Sequence, residues 1–150
     1  MLVSISTLAA IDVLLNVAGF FVSGNRMARF ESHPAIEMQV SVDDGMATVR
    51  ILNRSEDEYG FGERFTLYRR FGWRWRRVFF QNEFTQGVFW TLIAYMLPPN
   101  SYRDHPIYLH CRFGELPSGE YRIVKKFWIG SPRDDSIRVA GGFTISQRTP

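Results

Sequence analysis

Ile36-Glu37-Met38-Gln39-Val40-Ser41-Val42 is the stretch whose reading decides the fold, because apolar and polar residues alternate in it without a break. A period of two is the signature of a strand with one face in a core, since successive side chains leave a pleated backbone on opposite sides. Ile36, Met38, Val40 and Val42 are therefore predicted to face inward. Asp43-Asp44-Gly45 follows as a turn. The chain returns as a second strand, Met46 to Asn53, with Ala47, Val49 and Ile51 inward and Thr48 and Arg50 outward.

Outward from this hairpin the same pattern recurs. Arg54 to Gly62 reads as a polar connection, and Glu63 to Arg70 as a strand with Phe65 and Leu67 inward. Phe71-Gly72 turns the chain into Trp73–Phe80. There Trp75 falls out of phase with Val78 and Phe80, so a bulge at Arg76–Arg77 is expected to bring all three onto one side. After a polar loop over Gln81–Val88, Trp90 to Leu97 reads as an apolar strand stopped by Pro98-Pro99-Asn100. Tyr102–His110 reads as an edge or bulged strand because of Pro106. Glu120–Ile129 and Ile137–Ser146 complete the set, with Gly141-Gly142 marking a bulge in the last one. About eight short strands separated by turn signals, with no helical period, predict an all-β protein: an antiparallel β-sandwich, or alternatively a small barrel. Phe65, Leu67, Trp75, Tyr121, Ile123, Phe127 and Phe143 are its expected core.

Composition sets the outer bounds. A chain of 150 residues, 45% hydrophobic and 15% aromatic, has room for one domain with a real core. A single cysteine, Cys111, excludes an intrachain disulfide and any cysteine-built metal cage. Residues 1–24 (MLVSISTLAAIDVLLNVAGFFVSG) form the most apolar stretch and end in small residues, as an export signal does. No Lys or Arg precedes the apolar run, and Asp12 and Asn16 interrupt it. A cleaved signal, a membrane anchor and an element packed on the domain all remain open readings, and any membrane contact is expected only through this segment. Residues 25–35 read as a linker and 36–148 as the domain.

One segment is more specific than the rest. Gly114-Glu115-Leu116-Pro117-Ser118-Gly119-Glu120-Tyr121-Arg122-Ile123 resembles a tyrosine corner, in which a Tyr hydroxyl at a strand start bonds back to upstream backbone. Further matching pieces occur in order: Asn53, Tyr59-Gly60, Phe65 with Leu67, Trp75 with Val78, Leu97-Pro98, and the continuation Val124-Lys125-Lys126-Phe127. Taken together the chain resembles a family of bacterial immunoglobulin-like domains of exported proteins and lipoproteins. The resemblance covers about residues 36–146. It implies an immunoglobulin-like sandwich of about seven to eight strands, a core Trp75 and an extracytoplasmic setting (secreted or cell-surface), and it assigns no catalytic residue.

No constellation points to an enzyme. His110 and Cys111, adjacent on a strand, would face opposite ways, with the cysteine buried. Asp104, His105 and the Asp43-Asp44-Gly45 turn lack the further ligands a metal needs. Asn53-Arg54-Ser55 is a formal glycosylation sequon to which no function is attached. No cofactor is expected. What remains is a dense basic hairpin: Arg69, Arg70, Arg74, Arg76 and Arg77, with Trp73 the freer aromatic and Trp75 and Tyr121 structural. Two functions follow. One is a non-catalytic extracytoplasmic module for structural support or protein interaction. The other is a module that binds an anionic ligand, such as an acidic glycan, polyphosphate or nucleic acid, through the Arg/Trp hairpin. An anionic cell-surface polymer suits the second function better than nucleic acid does.

Overall fold

The structure, a computed structural model, describes residues 32–132 and 135–146. The expectations for residues 1–24, for most of the 25–35 stretch and for the domain's last residues fall outside it. Among the described residues nine strands and two short helices follow in order: β1 (Ile36–Asp43), β2 (Met46–Asn53), β3 (Tyr59–Gly62), β4 (Thr66–Phe71), β5 (Arg74–Val78), α1 (Glu83–Gln86), β6 (Ala94–Leu97), β7 (Tyr102–Tyr108), α2 (Leu109–Phe113), β8 (Gly119–Trp128) and β9 (Ser136–Ile145). They form two antiparallel sheets. The smaller runs β1-β2-β7. In the larger, β8 is central, with β9 on one side and both β3 and β4 on the other. Beyond these two lie β6, paired with β3, and β5, paired with β4.

The opening hairpin forms as the sequence predicts. Ile36 to Asp43 pairs residue for residue with Asn53 to Met46. Asp44 and Gly45 both take positive φ, 43° and 76°, as a two-residue turn between twisted strands requires. Ile36, Met38, Ala47, Val49 and Ile51 are buried, and they meet Phe61, Phe65, Leu67, Tyr121, Ile123 and Phe127 of the other sheet. Phe143 is partly buried against this core.

Several expectations are corrected. Tyr59–Gly62, read as loop, is a strand, because Tyr59 and Phe61 are buried apolar anchors within a polar stretch. The bulge in β5 is absent: Phe71–Arg74 to Leu67–Val78 is an unbroken ladder. Trp75 therefore stays on the face opposite Val78, half-buried and outside the core. Gly141-Gly142 is regular too, paired with Ile123 and Arg122. Only Ala94–Leu97 of the apolar 90–97 stretch is strand, and the chain after Tyr108 winds into α2, where Cys111 is exposed rather than buried.

Glycine at 141 has another purpose. A Cβ there would stand 2.7 Å from Val40 Cγ2 and 3.1 Å from the Met38 carbonyl oxygen. Its absence lets β9 lie directly on β1, which shuts one side of the sandwich. On the opposite side β7 and β6 belong to different sheets, and polar groups of the interior gather there.

Candidate functional site

The open side is built on a break in the strand formed by β3 and β4. Between the pairs Phe61–Phe127 and Thr66–Val124, residues 62–65 face only residues 125–126 of β8, so the chain must loop out and lose its ladder partners. Lys125 repairs the break. It occupies an inward position of β8, in phase with Tyr121, Ile123 and Phe127, and is 1% exposed. Its Nζ donates to the carbonyl oxygens of Gly62 (2.8 Å), Arg64 (3.3 Å) and Glu63 (3.4 Å). Desolvation pulls its pKa down to about 8, against the opposing pull of the Glu63 carboxylate.

The looped segment carries Glu63 into the gap between the sheets. One carboxylate oxygen accepts a hydrogen bond from the Tyr95 hydroxyl, and this contact raises the tyrosine's pKa. The other lies 3.6 Å from His105 Nε2 on β7. His105 packs edge-on against the Phe61 and Tyr95 rings. Its Nε2 is buried without a hydrogen-bond partner among the described residues. Desolvation, helped by Lys125, lowers its pKa to about 4, so the imidazole is neutral at physiological pH. Asp104 points the other way, to the outer face, where it forms a two-pronged pair with Arg50. A cavity of about 230 Å³ opens beside this cluster, between β7, Tyr95 and Arg112 of α2.

The basic hairpin is divided rather than concentrated. Directly paired residues share a face, so Arg70, Trp75 and Arg77 lie on the outer face, whereas Arg69, Arg74 and Arg76 lie on the other. Several guanidinium groups are engaged within the domain. Arg70 pairs with Glu120 at 2.8 Å and Arg77 with Glu83 at 2.6 Å. Arg69 donates to the Ser118 carbonyl and lies over the Phe71 ring. Trp75 is covered by Arg122 at 4.3 Å. Arg74 lies over Trp73, itself 67% exposed at the hairpin tip. Tyr121 takes the role read from sequence: its hydroxyl donates to the Pro117 carbonyl at 2.5 Å, and its ring stacks on Phe143.

Asn53 has a purpose the sequon did not suggest. It is buried, and its Nδ2 donates to the carbonyls of Asp57, Leu97 and Pro98. Its Oδ1 accepts from the backbone and hydroxyl of Ser55. The amide thus ties the β2–β3 connection to the end of β6, and its nitrogen is committed to that knot.

Sequence reading missed Lys125, Glu63, Tyr95 and His105 as a group, since they come from four separate stretches. The available signal was parity. Lys125 sits in phase with three buried residues of its strand, and His105 in phase with Ile107.

A second region stands out by exposure. From Gly87 to Leu97 the chain carries no charge and no proline. Val88 and Trp90 tuck inward, Trp90 against Phe65 and Phe80. Phe89 is 85% exposed, and Leu92 and Ile93 project beside β6, which among the described residues pairs with β3 alone.

Two facing antiparallel sheets, a tyrosine corner and a core shared between the inner faces define an immunoglobulin-like sandwich. The family model described as bacterial Ig-like domain matches residues 35–144, and the chain belongs to that family. Domains of this family are generally non-catalytic modules. No curated protein matches the chain.

Proposed function

We propose that this domain works outside the cytoplasm and holds another protein along the outer edge of its larger sheet. The supporting observation is the uncharged Gly87–Leu97 stretch, with Phe89 and Leu92 in solvent beside an edge of β6 that has no strand partner among the described residues. Edge strands normally carry charge, proline or a cover against unwanted pairing. An edge without these, flanked by exposed apolar side chains, suits strand addition by a partner.

Two experiments test the reading. A photo-crosslinking residue at Leu92 in the intact bacterium should capture one defined protein, and the same residue at Glu37 should not. Equal capture at both positions removes the edge. The exposed Cys111 tests the setting: a small membrane-impermeant maleimide should label it in intact cells, whereas labelling only after lysis overturns the extracytoplasmic assignment.

The anionic reading keeps one observation, the Arg74 guanidinium stacked on the exposed Trp73 at 4.3 Å. Arg74→Ala with Trp73→Ala should abolish salt-sensitive heparin binding if that tip is a contact.

A further inference from the structure

The cavity on the open side has features that packing alone does not require. His105 is 4% exposed, yet its Nε2 lacks a partner among the described residues. Leaving a buried polar nitrogen bare is unfavourable, and native interiors rarely tolerate it. Arg103 pairs across from buried Ile51 at the edge strand β7, and its side chain is exposed. Its guanidinium lies over the Tyr95 ring at 4.6 Å, with no carboxylate partner among the described residues. Arg112 on α2 lies over Trp90 at 4.5 Å, again with no carboxylate partner among the described residues. Both line the cavity, as does His105.

The charge balance of the lining is uneven. Arg103 and Arg112 line it, each guanidinium over an aromatic ring. On the inner side the Glu63 carboxylate already accepts from Tyr95, and the Asp104 carboxylate is paired with Arg50 on the outer face. Phe65 and Ile107 supply apolar wall deeper in. A guanidinium presents a planar fork that matches a carboxylate, and its hold strengthens where water is excluded.

We propose that this cavity is a binding site for a carboxylate carried on a short apolar stem. Arg103 and Arg112 receive the carboxylate, and the stem rests on Phe65 and Ile107. The volume of about 230 Å³ admits a group the size of a branched five- or six-carbon acid. The same chemistry is found in a free organic acid and in the C-terminal apolar residue of a peptide. The site does not depend on the β6 edge being an interface.

The test titrates the full chain, labelled for NMR on histidine, with two probes: 4-methylpentanoate and a tripeptide with a C-terminal leucine. The amide of each serves as its control. At least one carboxylate should move the His105 ring signals saturably, and its amide should not. Binding of the tripeptide alone assigns the site to a partner's C-terminus; binding of the free acid alone assigns it to a small metabolite. Arg103→Gln, at an exposed position, should preserve the melting temperature and weaken binding at least tenfold, and Arg103→Lys should restore part of it. The proposal is overturned if neither acid shifts His105, if an amide binds as well as its acid, or if Arg103→Gln binds like the parent.

Discussion

The two sides of the sandwich meet the same problem in opposite ways. On the β1–β9 side the sheets close by subtraction: Gly141 has no side chain, so backbone rests on Met38 and Val40. On the β6–β7 side they are held apart by addition: Lys125, Glu63, Tyr95 and His105 fill the gap with polar groups, and a cavity remains. Apolar contact at a closed edge gains from exclusion of water and needs no further partner. A polar edge is stable only while each buried group keeps its bonds. The closed side is thus suited to stability and the open side to recognition.

The closed side offers the largest perturbation. Gly141→Val would place a Cβ against Val40 and against the Met38 carbonyl, and backbone cannot step aside as a flexible side chain can. The expected loss is about 3 kcal/mol or more, at the upper end for overpacked cores, read by chemical denaturation. A loss under about 1 kcal/mol would show that the two strands part easily, and the contrast between the sides would disappear.

The open side should lose less, and in a pH-dependent way. Lys125→Met keeps the stem but leaves the carbonyls of residues 62–64 without their donor. About 2 kcal/mol should be lost at pH 7, as for buried groups left unpaired. In the parent, the folded pKa of about 8 lies below the ordinary lysine value of 10.5. Between those values the unfolded chain binds more protons than the folded one, so stability rises with pH across that window. Melting curves from pH 7 to about 9.5, short of the tyrosine titrations, should show the parent gaining stability while Lys125→Met stays flat. Parallel curves would mean that the ammonium is not desolvated.

How much of this contrast was legible in the sequence depends on how each side is made. Strand periodicity located the inward rows, so the Ile36–Val42 hairpin and the core around Leu67, Ile123 and Phe127 were readable. Tyr121 was readable too, because its hydrogen bond spans only four residues. Gly141 was noticed but read as a bulge: a glycine in a strand marks either an irregularity or a close approach, and only the facing strand decides which. The polar cluster was invisible as a unit, since it joins β3's exit, β6, β7 and β8 through long-range pairing. The five arginines looked concentrated because sequence proximity conceals the alternation of faces. Regular alternation puts Trp75 on the face opposite Val78, and the expected bulge reversed that placement.

Trp75 supplies the smallest effect and the sharpest control, because it belongs to neither side. A tryptophan in the core would cost roughly 3–5 kcal/mol when truncated to alanine. Here the ring is half-buried on the outer face of β5, paired across from Arg70 and capped by Arg122 at 4.3 Å. What Trp75→Ala removes is one cation–π contact at a partly exposed site, worth about 0.5–1 kcal/mol, and some covered apolar area. The expected loss in denaturation is therefore about 1 kcal/mol, with the slope against denaturant unchanged. Arg122→Ala should cost a similar amount, and the double variant should lose less than the two losses added, since each single change already breaks the shared contact. A loss of about 3 kcal/mol or more would move Trp75 into the core after all. The register of β5 would then be wrong, and the division of the arginines between two faces would fall with it.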